Sequence, residues 1–143
     1  MAKLKLIKNK ICKNYLILMI LIFLSEILTR IILKLEIFDW AVLRIFIGVN
    51  IVSLILSMLI SLLPSKLTNA FNLFIIFIVD LYAVAQVGFS NFMGNFMSVN
   101  SSSQLDKVTS YFLDYVQTFS WEFYLIFISF IILIAYYIFF NKK

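Results

Sequence analysis

The sequence predicts an all-α membrane protein with four transmembrane helices and a short amphipathic helix on the outer face. Of the 143 residues, 64% are hydrophobic and only 13% are charged, whereas a soluble domain carries roughly a quarter charged residues. The apolar residues form continuous runs, which excludes the alternating pattern of a membrane β-barrel. Three glycines and one proline leave few turn residues, and helices satisfy their own backbone hydrogen bonds in lipid.

The four predicted spans are long enough to cross a bilayer, which takes about 20 helical residues. They cover residues 14–33, 38–63, 70–89 and 121–140. Pro64 follows the second span and is typical of a helix stop. Trp121 and Tyr124 at one end of the fourth span, with Tyr136 and Tyr137 at the other, are typical of aromatic belts at the two membrane surfaces.

Two segments are predicted to lie outside the spans. Residues 1–13 form a basic cytoplasmic tail, and no signal-peptide cleavage site follows the first apolar run. Residues 90–120 form an outer interfacial segment. Within it, Ser103 and Asp106 have the spacing of a capping box, and residues 104–116 are predicted to form a helix that lies on the outer leaflet. The apolar side of that helix consists of Leu105, Val108, Phe112 and Val116.

The distribution of lysines predicts the orientation of the chain. Eight lysines fall in segments predicted to be inner and two in segments predicted to be outer; the outer ones are Lys34 and Lys107. Because lysine is enriched on the cytoplasmic side, the sequence predicts a multi-pass protein of the cell membrane with both termini in the cytoplasm. The net charge of +5 does not indicate nucleic-acid binding, since no basic stripe with interleaved aromatic residues is present.

Four ionisable residues interrupt the apolar runs: Glu26, Arg30, Arg44 and Asp80. Each costs about 2.5–3.5 kcal/mol if it lies alone at mid-membrane, so we expect these residues to pair or to face a cavity. Glu26 and Arg30 are four residues apart and share one helix face. Together with Asn50 and Gln86, the four residues form the candidate site.

Two interpretations of this site remain open at the level of sequence. In the structural interpretation, the polar residues form a neutral network that fixes the helical bundle. In the functional interpretation, Arg30 or Arg44 binds the head group of an anionic phospholipid that enters from the outer leaflet, because the planar guanidinium suits phosphate. Small polar residues on one face of the second span predict a seam where helices pack closely; they are Asn50, Ser53, Ser57 and Ser61.

The sequence predicts no catalytic residue, no metal ligand set and no cofactor in this chain. Histidine, the commonest general base and metal ligand, is absent, and Cys12 is the single cysteine. No glycine-rich phosphate loop and no nucleophile beside a base is present. We therefore do not expect this chain to be an enzyme on its own.

Four stretches, taken together and in order, resemble the membrane domain of the lipoteichoic acid synthase and phosphoglycerol transferase family. They are SEILTR at 25–30, LRIFIGVN at 43–50, SLLPSK at 61–66 and AQVGFSNFMGNFMS at 85–98. The resemblance extends over residues 25–127. In this bacterial cell-envelope family, a membrane domain with one span more than predicted here precedes an extracellular, sulfatase-like catalytic domain. A threonine nucleophile and a divalent metal in that domain transfer glycerol phosphate from a phospholipid.

The resemblance implies a membrane anchor that presents lipid to an extracellular phosphoglycerol transferase. The chain ends at Lys143 without the fifth span or the catalytic residues of the family, so no active-site position is carried over. The expected partners are membrane lipid and an extracellular catalytic module, or further copies of the chain. One alternative is a small four-span transporter or lipid flippase, which requires a continuous polar path across the bundle. Another is a structural membrane protein without a ligand.

Overall fold

The computed structural model describes residues 2–37, 39–93 and 122–140. The described residues form helices and no strand, which confirms the all-α prediction for this part of the chain. The helices are α1 (Ala2–Ile32), α2 (Trp40–Ser61), α3 (Ser65–Met93), α4 (Glu122–Ile126) and α5 (Ile128–Phe140).

Three of these helices have the length and hydropathy of membrane spans. The qualifying stretches are Ile7–Ile32, Trp40–Ser61 and Leu67–Ser90, and Tyr124–Phe139 is a shorter apolar stretch that runs through α4 and α5. Many of their large apolar side chains are exposed, such as Ile47, Ile55 and Phe74. Since exposed apolar surface on this scale needs a partner other than water, the helices are those of a membrane protein.

The helices begin and end at different residues from the predicted spans. α1 begins at Ala2, so the predicted basic tail is helical almost throughout; its lysines and leucines favour helix. The ammonium of Lys10 donates a hydrogen bond to the carbonyl of Leu63, which ties this part of α1 to the α2–α3 turn. α3 extends beyond residues 70–89 at both ends. Hydropathy locates the part of a helix that crosses lipid, and the hydrogen-bonded helix continues past it.

Several predicted features lie outside the described residues. They are the interfacial helix at 104–116, its capping box at Ser103 and Asp106, the aromatic residue Trp121, and the two terminal lysines.

A Schellman turn ends α1 and sets the path of the chain into α2. The amide of Leu35 donates to the carbonyl of Arg30 at 2.9 Å, and the amide of Lys34 donates to the carbonyl of Ile31 at 3.1 Å. This pattern places residue 34 in the left-handed region, and Lys34 has φ of 54°. Glycine is the usual residue at this position, since a side chain there costs about 1–2 kcal/mol.

We expect Lys34→Gly to raise the free energy of unfolding by about 0.5–1 kcal/mol, because glycine removes the strain of the left-handed conformation but adds freedom to the unfolded chain. Unfolding of the purified protein in detergent, followed by circular dichroism, measures the change. Lys34→Ala is the matched control: it removes the charge and keeps the Cβ atom. Stabilisation of the alanine variant to the same extent would show that the charge, and not the backbone, is responsible.

The other two helix ends near these turns are also capped. Asp39 precedes α2 in an extended conformation, and its carboxylate accepts a hydrogen bond from the amide of Trp40 at 2.5 Å. At the α2–α3 turn, the hydroxyl of Thr68 lies within 3.1–3.3 Å of the carbonyls of Ile60, Leu63 and Pro64.

The bundle has two ends, which we name by a residue at each. At the Asp39 end α1 passes into α2, and at the Pro64 end α2 passes into α3.

Helix α1 is the centre of the described bundle. It packs against α2, α3, α4 and α5, whereas α2 packs extensively on α1 and little on α3. This arrangement leaves a gap between α2 and α3 that the candidate site uses.

Candidate functional site

The core of the bundle alternates polar and apolar layers along the helix axes. On α3, Asn72, Ile76 and Asp80 are four residues apart and all completely buried; this spacing places them on one face of the helix. α5 runs in the opposite direction and repeats the pattern with Tyr137, Leu133 and Ser129, and α1 repeats it with Asn14, Leu18 and Ser25.

The polar layer at the Pro64 end connects four helices. The amide nitrogen of Asn72 donates to the side-chain oxygen of Asn14 at 3.3 Å and to the hydroxyl of Tyr137 at 2.9 Å. The amide nitrogen of Asn14 donates to the hydroxyl of Ser61 at 3.1 Å. Because lipid offers no substitute partners for these groups, the layer fixes the register of α1, α2, α3 and α5.

An apolar layer separates this network from the next polar layer. Its five buried side chains are no more than 5% exposed; they are Leu18, Leu21, Ile60, Ile76 and Leu133. Each of the helices α1, α2, α3 and α5 contributes to it. On α1, α3 and α5 this layer separates the two polar networks, whereas α2 also carries the fully buried hydroxyls of Ser53 and Ser57 on the same side as Ser61.

The central polar layer is built around Asp80. The hydroxyl of Ser129 donates to one carboxylate oxygen at 2.5 Å, and the backbone amide of Phe130 donates to the other at 3.2 Å. The hydroxyl of Ser25 lies near the same carboxyl group but forms no hydrogen bond with a described residue. Asp80 thus joins α3 to α5 without a basic partner among the residues described.

A break in the last apolar stretch explains why Asp80 finds these donors. α4 ends at Ile126, the amide of Phe127 bonds to the carbonyl of Tyr124 at 3.2 Å, and α5 begins at Ile128. The first amides of a helix have no acceptor within it, and a carboxylate at this end also interacts favourably with the helix dipole. Asp80 therefore caps α5 from a neighbouring helix.

A charged pocket lies at the Asp39 end. Its volume is about 390 Å³, and it is lined by Glu26, Arg30, Leu35, Glu36, Asp39 and Ala41. Arg30 Nε lies 3.6 Å from a carboxylate oxygen of Glu26, and Arg30 Nη1 donates to the backbone carbonyl of Glu36 at 2.9 Å. Arg30 is only 8% exposed, so its guanidinium is held at the floor of the pocket.

Two apolar cavities adjoin the charged pocket. The slot, of about 380 Å³, lies between α1, α2 and α3 and is lined by Ile22, Ser25, Glu26, Thr29, Val49, Ile78, Val79, Tyr82, Ala83 and Gln86. The groove, of about 610 Å³, lies along α1 and α2 and is lined by Phe23, Ile37, Asp39, Trp40, Val42, Leu43 and Phe46. The charged pocket shares Glu26 with the slot and Asp39 with the groove.

The six polar residues that the sequence places in one candidate site occupy several separate positions. Glu26 and Arg30 form the pair at the Asp39 end. Asp80 lies in the central layer. Asn50 accepts a hydrogen bond from the hydroxyl of Tyr15 at 2.5 Å, and the amide of Gln86 donates to the hydroxyl of Tyr82 at 2.5 Å.

Arg44 is exposed and makes no hydrogen bond or ion pair with a described residue. It lies one turn into α2 with an exposed side chain, whereas the side chain of Arg30 is buried in the bundle. The expected balance of two positive and two negative groups in one network is therefore absent from the described residues.

Sequence reasoning missed the partners of Asp80 and, apart from Ser61 in the predicted seam, the network at the Pro64 end. The signal was present: Asn72 and Asp80 are eight residues apart, as are Ser129 and Tyr137, and residues eight apart share a helix face. A serine or tyrosine in an apolar run is a weaker sequence signal of a polar site than a charged residue is. Here, however, its hydroxyl is the hydrogen-bond partner of a buried polar group.

No group of three or more metal-ligating side chains occurs among the described residues. No protein-family model, curated protein or solved structure matches this chain.

Proposed function

We propose that the chain is a four-span membrane anchor with both termini in the cytoplasm, which presents lipid at its outer surface and does not catalyse a reaction itself. In this proposal, α1, α2 and α3 are three spans, and α4 with α5 forms the fourth. The Pro64 end, which carries Lys10 and Lys13, faces the cytoplasm, and the Asp39 end faces outward. The resemblance of residues 25–127 to the membrane domain of phosphoglycerol transferases supports an extracellular catalytic module as the partner.

The apolar layer is the observation that carries this proposal. Ile76 lies between Asn72 and Asp80 on α3, and Leu133 lies between Tyr137 and Ser129 on α5, each side chain at most 1% exposed. Four helical residues correspond to about 6 Å along the axis, so on α3 and α5 one layer of apolar side chains separates the two polar networks. A transporter needs a continuous polar path, whereas an anchor needs only a closed core.

Labelling of single cysteines tests the topology. Cys12 is the sole cysteine and is exposed, so a membrane-impermeant maleimide reports its side of the membrane directly. We expect Cys12 to react only after the membrane of intact cells is opened, and Cys12→Ser combined with Glu36→Cys to react in intact cells. A cysteine placed at Lys143 should behave like Cys12. Labelling of positions 12 and 143 from opposite sides would overturn the four-span arrangement.

A second candidate function is a small transporter or lipid flippase, and the break at Phe127 is the observation that favours it. Discontinuous helices often mark the binding sites of transporters. Flux assays in proteoliposomes separate the two functions. We expect the anchor to move neither protons nor a fluorescent phospholipid above the level of empty vesicles. Saturable movement of either one, abolished by Asp80→Asn, would favour the transporter.

A further inference from the structure

We propose that the Asp39 end binds a zwitterionic phospholipid, with its phosphate and ammonium groups in the charged pocket and its acyl chains in the slot and the groove. This inference rests on the proposed function as a lipid-presenting anchor and names the class of lipid, which differs from the glycerol-phosphate donor of the transferases that the sequence resembles. It replaces the anionic head group that the sequence alone led us to expect at Arg30.

The charges of the pocket favour a head group that carries both signs. Three acidic residues, Glu26, Glu36 and Asp39, line the pocket together with Arg30, and the carboxylate of Glu26 lies 3.6 Å from Arg30 Nε. The excess of carboxylates repels an anionic head group. A head group with one phosphate and one ammonium avoids this repulsion, because the phosphate can contact Arg30 while the ammonium contacts Glu26 or Asp39.

The guanidinium is prepared for an additional acceptor. Arg30 Nη1 is held by the carbonyl of Glu36, and Arg30 Nε is buried without a hydrogen-bond partner among the described residues, its nearest carboxylate oxygen being 3.6 Å away. Buried donors in native structures are normally satisfied. Because Nε itself is enclosed by protein atoms, a phosphate oxygen in the pocket can contact Arg30 only through its terminal nitrogens; the planar fork of arginine suits phosphate geometry.

The two apolar cavities account for the rest of the lipid. The slot is enclosed by Ile22, Val49 and Ala83, and it lies where α2 and α3 pack little on each other, so a chain can enter sideways from the bilayer. Its volume of about 380 Å³ falls within the range of known ligand sites, roughly 300–1,000 Å³. The groove passes Phe23 and Phe46, whose rings meet edge to face at 5.3 Å. Since the slot shares the residue Glu26 with the pocket and the groove shares the residue Asp39 with it, one diacyl lipid can occupy all three.

Native mass spectrometry of the purified full chain tests the proposal. The protein is stripped of lipid in detergent and mixed with equal amounts of phosphatidylethanolamine and phosphatidylglycerol with identical acyl chains. We expect the ethanolamine lipid to be retained about tenfold more, as one charge-assisted hydrogen bond provides. Equal retention, or a preference for phosphatidylglycerol, would overturn the assignment of a zwitterionic head group.

Variants assign the selectivity to the pocket. Asp39→Asn removes a charge and keeps an amide oxygen that can cap α2, and Glu26→Gln removes the second; we expect both to reduce the preference for the ethanolamine lipid. Arg30→Gln should lower retention of both phospholipids. Arg44→Gln is the matched control, since it removes an exposed arginine outside the pocket, and it should change nothing. If Arg30→Gln fails to fold, the two carboxylate variants decide: an unchanged preference in both contradicts the proposal.

The contribution of the slot is tested separately. Val49→Phe fills the slot and should lower retention of the ethanolamine lipid at least as much as Arg30→Gln. It should not change the weak binding of soluble glycerophosphoethanolamine. Competition by the soluble compound at the same concentration as the lipid would show that only the head group binds and would overturn the role of the slot. Movement of protons or phospholipid in the proteoliposome assay would instead contradict the proposed anchor function. Failure of the lipid site and failure of the proposed function therefore give different results.

Discussion

Replacing Asp80 by leucine is expected to destabilise the bundle more than any other single change on α3. The substitution removes the acceptor of the Ser129 hydroxyl and of the Phe130 amide. The Phe130 amide loses this partner, and a buried donor left unsatisfied costs about 1–3 kcal/mol; the Ser129 hydroxyl keeps only its longer hydrogen bond of 3.3 Å to the carbonyl of Ile126. α5 also loses the favourable interaction of a carboxylate with its N-terminus. Reversible unfolding in mixed micelles of increasing sodium dodecyl sulfate, followed by circular dichroism, measures the loss.

Asp80→Asn is the matched control for this prediction. Its side-chain oxygen can still accept one of the two hydrogen bonds, so we expect less than half of the destabilisation seen with leucine. A leucine variant as stable as the wild type would show that the carboxylate makes no net contribution to holding α5 against α3.

Leu18→Ala is expected to have the second large effect, because it opens a cavity in the apolar layer. Leu18 is completely buried, and truncation of a buried leucine to alanine costs about 2–5 kcal/mol. We expect a value near 2 kcal/mol, because the unfolded reference state in a micelle is itself apolar and only packing is lost. The same denaturation assay measures the change in the free energy of unfolding.

Leu16→Ala on the same helix provides the comparison. Leu16 is 45% exposed and lies two residues away, so it loses the same atoms with little packing. We expect a change within about 0.5 kcal/mol, as for other exposed positions. Equal costs at positions 16 and 18 would contradict the assignment of Leu18 to the packed layer.

The sequence predicted the helices well and the contacts between them poorly. Hydropathy located the apolar parts of α1, α2 and α3, since the bilayer requires about 20 apolar residues in any span. Hydropathy does not report how far each helix is rotated about its axis. Arg30 and Arg44 are both arginines near the same end of the bundle, yet Arg30 faces the core and Arg44 is exposed.

The details of the candidate site depend on such rotations and on local backbone geometry. The Schellman turn places the carbonyl of Glu36 against Arg30, but it carries Lys34 where glycine would have been recognised. The amide of Phe130 is available to Asp80 because the helix is interrupted at Phe127. Neither backbone arrangement has a distinct sequence signature. The eight-residue spacings show which polar residues share a helix face, but they do not show which face meets which neighbour.

The capping of α5 by Asp80 has a consequence for the order in which the protein is made. Residue 80 leaves the ribosome about 50 residues before residue 130, so α3 enters the bilayer while the groups that will satisfy its carboxylate do not yet exist. Until then the carboxyl group costs about 2.5–3.5 kcal/mol in the hydrocarbon. Insertion of the last helix supplies the donors that satisfy the carboxylate and removes this cost, so the last step of assembly fixes α5 against α3. A chain whose last helix has not yet packed therefore retains an uncompensated acidic group within the bilayer, and in this respect it differs from the finished molecule.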